Sequence, residues 1–304
     1  MIRKFNNSLI KKLPETKGEY TENASIGRKT WFKTNGLAEV LFEPHDKNDL
    51  LLFMQEISKN TPLTIIGRGS NLLVRDGGIA GVVIKLNNSL SKINFKKNKI
   101  EAGAGILNHR IVQTCKEKSI SGLEFLIGIP GSIGGAVAMN AGAYGNEIKD
   151  VIHSVEIITK AGKSTVIPKE KIKFGYRKAL LPENSLITQV NLRFSKGKRE
   201  QISKLIQTIQ EQRKKTQPIN SKTCGSTFRN PKGHKAWELI DRSGCRGMKI
   251  GSAMISEKHC NFIINTNKAS AKEIEDLGQK VIQIVKKKTG VNLEWEIKRL
   301  GSYK

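Results

Sequence analysis

An α+β fold is what this sequence of 304 residues predicts. Two observations carry the prediction. Segments with a two-residue apolar period and segments with a helical period follow one another without regular alternation, which argues against a doubly wound sheet. A Gln217-Pro218 break then follows a long helical segment and sets off the last third of the chain. The length suits two or three domains, each able to bury a core.

The elements read in order. Residues 1–30 are polar and basic, an irregular or helical entry. A strand follows near Ala38–Phe42, closed by Glu43-Pro44. Asp46–Asn60 reads as a helix capped by Asp46 or Asn48, with Leu50, Met54 and Ile57 at helical spacing. Leu63–Ile66 is a short apolar strand that runs into Gly67-Arg68-Gly69-Ser70-Asn71-Leu72, and Ile79–Leu86 is the next strand. Ile100–Leu107 is strand-like and Asn108–Lys118 helical. Val151–Thr159 and Leu186–Phe194 alternate like half-buried strands, with Val190, Leu192 and Phe194 on one face. Arg199–Lys215 turns Ile202, Leu205, Ile206 and Ile209 to one side.

Past the break, helices are expected at Ala236–Ser243 and Ala271–Lys288, the latter with Ile274, Leu277, Val281, Ile284 and Val285 inward. Strands are expected at Ala253–Ile255, Phe262–Ile264 and Val291–Ile297. On the last of these, Glu294 and Glu296 share a face opposite Leu293 and Trp295. The expected units are 1–86, 87–216 and 217–304.

The chain holds 53 basic and 27 acidic residues, a formal charge of +26. Such a surplus favours anionic partners. The basic residues are scattered, runs such as Lys286–Lys288 are short, and no finger, basic zipper or RNA-recognition signature occurs, so nucleic acid is not the expected partner. Solvated basic faces, or a basic cleft for phosphorylated ligands, fit better. Cys115, Cys224, Cys245 and Cys260 form no C-x-x-C pair, so reduced thiols and no metal site are expected. No apolar run approaches the roughly 20 residues of a membrane span, and Met1–Lys12 lacks a signal-peptide core. A cytoplasmic protein is expected.

Two glycine-rich stretches stand out. Gly67–Asn71 follows a buried strand, where successive amides can form an anion site. The second, Gly128 to Ala136, reads Gly-Ile-Pro-Gly-Ser-Ile-Gly-Gly-Ala within an apolar surround. Neither is a Walker or Rossmann loop. A ligand cradle and a tight packing crossover both explain them. Arg177, in Phe174-Gly175-Tyr176-Arg177, can pair with a carboxylate or stack on Tyr176. Ser226, in Cys224-Gly225-Ser226-Thr227, is either a capping residue or a proton donor, and a serine donates usefully only to a strongly basic centre. The five histidines and Trp31, Trp237 and Trp295 read as structural, the tryptophans as core.

These motifs occur together and in order. From about Lys29 to Ser302 the chain resembles the UDP-N-acetylenolpyruvoylglucosamine reductase family, carried by Gly67–Leu73, Gly128–Gly145, Tyr176-Arg177, Gly225–Pro231, Ala236–Gly251, Ile255–Asn265 and Leu293–Gly301. The resemblance implies an FAD-binding domain of the vanillyl-alcohol-oxidase/PCMH type, followed by a smaller α+β substrate-binding domain. It implies non-covalent FAD, NADPH as co-substrate, a UDP-sugar substrate and a monomer. Ser226 looks like the proton donor, and Arg177 with Glu296 like the pair that polarises the substrate carboxylate. Tyr176, Arg229 and Asn230 match substrate contacts. Gly67, Arg68, Gly69, Ser70, Asn71 and Leu72 match flavin contacts, as do Gly128, Pro130, Gly131, Ser132, Gly134, Gly135 and Ala136. The chain departs at Thr34-Asn35-Gly36-Leu37, with one glycine where relatives often have two. It lacks a tyrosine-bearing insertion and so resembles the compact subtype. Another flavoprotein of the same fold, a sugar or alcohol oxidase, is the alternative, and a basic nucleic-acid-binding protein the second. Many such oxidases attach flavin through histidine, and Gly67–Leu73 contains none.

Overall fold

The computed structural model describes residues 5, 8–86 and 88–303. The start of the entry segment, residues 1–4, 6 and 7, and residue 87 at the first expected boundary lie outside the described residues.

Strand β1 is Glu19–Ala24, and β2 is Ala38–Glu43. Helix α1 (Lys47–Glu56) begins at Asp46, whose carboxylate accepts from the Asp49 N–H, and it ends earlier than its apolar spacing suggests. Three strands follow: β3 (Leu63–Ile66), β4 (Leu72–Val74) and β5 (Ile79–Lys85). Four of these make a sheet ordered β1-β2-β5-β3, while β4 leaves it. The entry segment therefore holds a strand where an irregular or helical stretch was expected. Its sequence, Glu-Tyr-Thr-Glu-Asn-Ala, has no apolar alternation. It is an edge strand, held by antiparallel pairing with β2 and by Tyr20 stacked on Phe42 at 4.9 Å.

The second sheet begins with β6 (Ile93–Phe95) and β7 (Ile100–Gly103), followed by helices α2 (Asn108–Glu117) and α3 (Ile133–Ala138). Next come β8 (Ile152–Ile158), β9 (Ser164–Pro168), a small hairpin of β10 (Lys173–Gly175) and β11 (Lys178–Leu180), and β12 (Leu186–Leu192). The sheet is antiparallel throughout, ordered β9-β8-β12-β7-β6. Strand β12 is central and covered on both faces. Asn191, expected to face water, is buried and donates to Ser154 Oγ at 2.8 Å. Helix α4 (Arg199–Thr216) buries Ile202, Ile206 and Ile209 and leaves Leu205 exposed. One apolar core joins both sheets with α1, α2 and α4.

Helix α5 is Ala236–Arg242. Strands β13 (Lys249–Ile250), β14 (Ala253–Ile255) and β15 (Ile263–Asn265) form a third, antiparallel sheet against α6 (Ala271–Thr289). Helix α6 has a full capping box, with Ser270 and Glu273 reciprocally bonded, and Gly290 closes it in the left-handed conformation. The expected strand over Val291–Ile297 is not one. Leu293 and Ile297 are buried, Trp295 and Glu296 are both half-buried, and among the described residues only Trp295 forms a bridge, to Phe228. The ladder comes later: β16 (Lys298–Leu300) runs parallel to β4. Phe32 and Leu73 belong to this C-terminal core, so the N-terminal segments and the last third pack as one.

Among the described residues no helix is long and apolar enough to cross a membrane, and no cluster could hold a metal ion. All four cysteines are buried and unpaired with one another. Trp31 and Trp237 are partly exposed rather than core.

Candidate active site

The β3–β4 connection and the segment ahead of α3 meet face to face. Gly131 has φ +108°, open to glycine alone, and a Cβ there would lie 2.6 Å from Ser70 Oγ. A Cβ on Gly67 would lie 2.7 Å from Ser132 Oγ. Each loop thus lacks a side chain where the other presents a serine, and Ser70 Oγ locks the pair by donating to the Pro130 carbonyl at 3.1 Å. The reading of these glycines as a packing crossover is therefore met. The loops are a packing crossover, and their contact leaves backbone free on the outer side. Among the described residues nothing accepts from the amides of Gly67, Gly69, Ser70 or Asn71.

Those amides border a cleft of about 760 Å³ between the lobe of the first two sheets and the last third. Gly67 to Leu72, Gly128, Pro130 to Ser132, Gly135 and Ala136 all line it, as do Arg177, Ser226 and Glu296. Gly134 instead seats on Ala104 and borders an adjoining hollow of about 490 Å³ that shares Gly67, Ser132 and Gly135. Gly128 is bare because Tyr144 lies there: a Cβ would meet its ring at 2.6 Å. Among the described residues no histidine lines the cleft.

Arg177 arrives on the turn between β10 and β11, at φ +55°. A non-glycine residue costs roughly 1 kcal/mol there, and backbone held in that region commonly marks functional positions. Asn140, fully buried, pins the hairpin: its Nδ2 donates to the Gly175 carbonyl at 3.0 Å and to Glu147 at 3.1 Å. Arg177 Nε lies 3.0 Å from Glu296 Oε1. Its N–H is not aligned on that oxygen, so the contact is an ion pair rather than a directed hydrogen bond. The guanidinium also covers the Tyr176 ring, 5.2 Å from its centroid.

Glu294 and Glu296 share a side of the chain but not an environment. The Glu294 side chain is 72% exposed and that of Glu296 16%. Burial raises the Glu296 carboxyl above the usual carboxylate range, and Arg177 and Arg229 oppose the rise. Ser226 lies in the loop that leads to Phe228, and no helix starts near it, so it is not a cap. Its neighbour Thr227 binds both sides of the site: its carbonyl accepts from Glu296 N–H at 2.8 Å, and its hydroxyl accepts from Ile263 N–H at 3.1 Å.

Three expected substrate contacts stand away from the cleft wall. Tyr176 is exposed over Arg177. Asn230 Oδ1 accepts from Ala236 N–H at 3.0 Å, satisfying the first free amide of α5. Arg229 approaches Glu294 at 3.9 Å. Conversely, the cleft holds groups the sequence did not signal. Arg213 and Lys298 line it, and burial pushes both below their ordinary ranges, with the Arg229 charge adding at Lys298. The buried hydroxyl of Thr223 has no hydrogen-bond partner among the described residues. Trp31, Tyr144 and Ile219 place exposed apolar surface in the same cleft. Cys224 is also on the wall, but burial drives its thiol up to about 12 and its Sγ meets the Leu72 carbonyl at 3.2 Å.

Comparison with known proteins identifies the family. Residues 38–167 match a family described as FAD binding domain. Residues 217–300 match the C-terminal domain of UDP-N-acetylenolpyruvoylglucosamine reductase. The UDP-N-acetylenolpyruvoylglucosamine reductase of Rickettsia peacockii (strain Rustic) is 48% identical over 291 residues, covering 96% of this chain and 99% of that protein. The enzyme of Orientia tsutsugamushi (strain Ikeda) is 46% identical over 298 residues, covering 97% and 98%. The crystal structure of the reductase from Thermus caldophilus superposes with a TM-score of 0.82 at 33% identity, covering 94% and 100%. By near-complete coverage at 46% to 48% identity, the chain belongs to the UDP-N-acetylenolpyruvoylglucosamine reductase family.

Proposed function

We propose that Arg177, Glu296 and Ser226 carry the reaction of this family, with FAD held non-covalently by the loops Gly67–Leu72 and Gly128–Ala136. The enzyme is an FAD-dependent UDP-N-acetylmuramate dehydrogenase. It uses NADPH to reduce UDP-N-acetyl-3-O-(1-carboxyvinyl)-glucosamine to UDP-N-acetylmuramate, in peptidoglycan synthesis. The observation that carries the residue assignment is the convergence of an Arg177–Glu296 ion pair at 3.0 Å and Ser226 on the cleft that the glycine loops border.

The residues suit the cofactor. Free amides at Gly67, Gly69, Ser70 and Asn71 suit a diphosphate. Ile129, Pro130, Ala136 and Met139 offer a flat ring an apolar wall. The absence of histidine from the described lining suits non-covalent binding. Bound there, FAD supplies a two-electron carrier between NADPH and the carbon–carbon double bond.

The protein's own groups do the rest. Arg177 holds the substrate carboxylate and offsets the negative charge that grows on it as the double bond gains hydride. Glu296 orients Arg177 and keeps it from the solvent side. Ser226 delivers the proton to the adjacent carbon, a centre basic enough to take it. Arg213 and Lys298, both on the cleft wall, favour the phosphates of the UDP-sugar or NADPH. The reading also retains Tyr176, Arg229 and Asn230 as substrate contacts. They stand off the wall here, so they would need closure of the cleft. It retains the units 1–86, 87–216 and 217–304, a cytoplasmic monomer, and no nucleic-acid partner.

The test is spectroscopic. The purified protein should show flavin bands that bleach with NADPH without oxygen and return when the enolpyruvyl sugar nucleotide is added. In Ser226→Ala the bleaching should persist and the return should stop. Return in that variant at the normal rate assigns the proton to another group. Bleaching reversed only by oxygen would favour an oxidase.

A further inference from the structure

Asn71 closes the first glycine loop, yet its side chain is engaged elsewhere. Its Nδ2 donates to the backbone carbonyl of Glu296 at 3.2 Å, with Met139 Sδ at 3.8 Å. Its own carbonyl accepts from Lys298 N–H at 3.1 Å. Glu296 itself lies two residues before β16, where no ladder holds it. Its N–H goes to the Thr227 carbonyl at 2.8 Å. The peptide groups of Glu296 are thus fixed from two sides, by the residue after Ser226 and by the last residue of the cradle.

The ladder that follows keeps this register. Leu72, Leu73 and Val74 face Lys298, Arg299 and Leu300, and Arg75 N–H continues to the Leu300 carbonyl at 2.9 Å. Arg75 Nε then reaches buried Glu275 at 3.0 Å. Asn71 stands at the open end of this zipper, where the segment that carries Glu296 enters the cleft.

We infer that Asn71 is a positioning residue for Glu296, coupling the flavin cradle to the carboxylate that orients Arg177. The inference rests on the reading of Arg177 and Glu296 as the pair that handles the substrate carboxylate. The residue type follows from the bond. A donor is needed at the reach of one methylene, to replace a ladder hydrogen bond that β16 does not extend to. Aspartate would fit the space but bring no donor, and it would place negative charge near a carboxyl whose ionisation burial already disfavours. The backbone N–H of Asn71 remains free for the cradle.

The test separates this role from flavin binding. Asn71→Ala and Asn71→Asp are compared with Glu296→Gln and with the double variant Asn71→Ala/Glu296→Gln. FAD affinity of the apoprotein is read from flavin fluorescence, and the two half-reactions are followed separately by stopped flow. Displacing a reacting group by about 1 Å costs up to about 10²-fold. Asn71→Ala and Asn71→Asp should therefore slow flavin reoxidation by substrate about ten- to a hundredfold. Asn71→Ala should leave reduction by NADPH within about twofold and FAD affinity within about threefold, whereas Asn71→Asp adds a negative charge beside the diphosphate cradle and is read from reoxidation in its FAD-bound fraction; the double variant should be no slower than Glu296→Gln. Should Asn71→Ala fail to fold, the isosteric Asn71→Asp carries the comparison. Lost FAD affinity with normal reoxidation in the bound fraction would make Asn71 a flavin contact only. Additive losses in the double variant would also overturn the inference. Normal reoxidation in Asn71→Ala beside slow reoxidation in Glu296→Gln overturns it alone. Normal reoxidation in Glu296→Gln overturns the reading of the pair, and the inference with it.

Discussion

Replacing Arg177 by methionine keeps much of its length and removes its charge. Two unit charges about 4 Å apart, at an effective dielectric near 20, attract by about 4 kcal/mol. The side chains of Arg177 and Glu296 are 21% and 16% exposed. Desolvation and this residual exposure reduce the net loss to about 2–3 kcal/mol, close to what an unpaired buried charge costs. The kinetic loss should match removal of one group that stabilises developing negative charge, about 10²–10³ in rate. It should fall on flavin reoxidation by substrate and spare reduction by NADPH. Arg177→Lys keeps the charge but not the planar fork, and should lose about tenfold.

The same substitution has a pH signature. Burial already raises the Glu296 pKa and Arg177 restrains the rise. Where a carboxyl is harder to ionise in the folded state, the unfolded chain binds fewer protons, and stability falls as pH climbs from the unfolded to the folded pKa. Without Arg177 the folded pKa moves further up, so the decline should continue to higher pH than in the parent. Melting temperatures of apoprotein and variant, followed from about pH 4 to pH 8 around the ordinary carboxylate range, would show the curves diverging upward. Parallel curves together with parental reoxidation kinetics would refute the reasoning, because the ion pair would then neither hold Glu296 ionised nor serve the substrate.

Three further outcomes are expected. Gly131→Ala places a Cβ 2.6 Å from Ser70 Oγ at φ +108°, so it should cost at least about 1–3 kcal/mol and weaken FAD binding, measured by denaturant unfolding and flavin titration. Phe228→Ala empties a fully buried position against Trp295, ring centroids 5.2 Å apart, and should cost about 3–5 kcal/mol in the same unfolding experiment. Cys224, with its thiol pushed to about 12, should resist alkylation at pH 8 in the folded protein and react only on unfolding, seen by mass spectrometry.

Much of the fold was legible because local pattern and tertiary demand agree. Helix α6 has its capping box, its apolar face and its closing Gly290 within one stretch of sequence. Strand β1 was not legible, because its polar residues become a strand only by pairing with β2. The alternation of Val291–Ile297 put Leu293 and Ile297 in the core but missed the burial of Glu296 and the hydrogen bonding, since backbone ladders need a neighbour and the neighbour begins only at β4. Within the site, Arg177 and Ser226 each had a bland alternative in its own motif, and only the ordered set of motifs singled them out. Arg213 and Lys298 were lost among 53 basic residues, and only their place on the cleft wall distinguishes them.

The sequence by itself determined the α+β class, the order of most elements, the two glycine loops and the family. These are properties of periodicity, composition and ordered motifs, written along the chain. Only the tertiary structure decided that Gly67 and Gly131 are bare for each other's serines, and that Glu296 rather than Glu294 is the buried carboxylate. It alone joined Asn71 to Glu296, 225 residues away. Distance, desolvation and the direction of a hydrogen bond depend on which surfaces meet, and one-dimensional pattern does not encode that meeting.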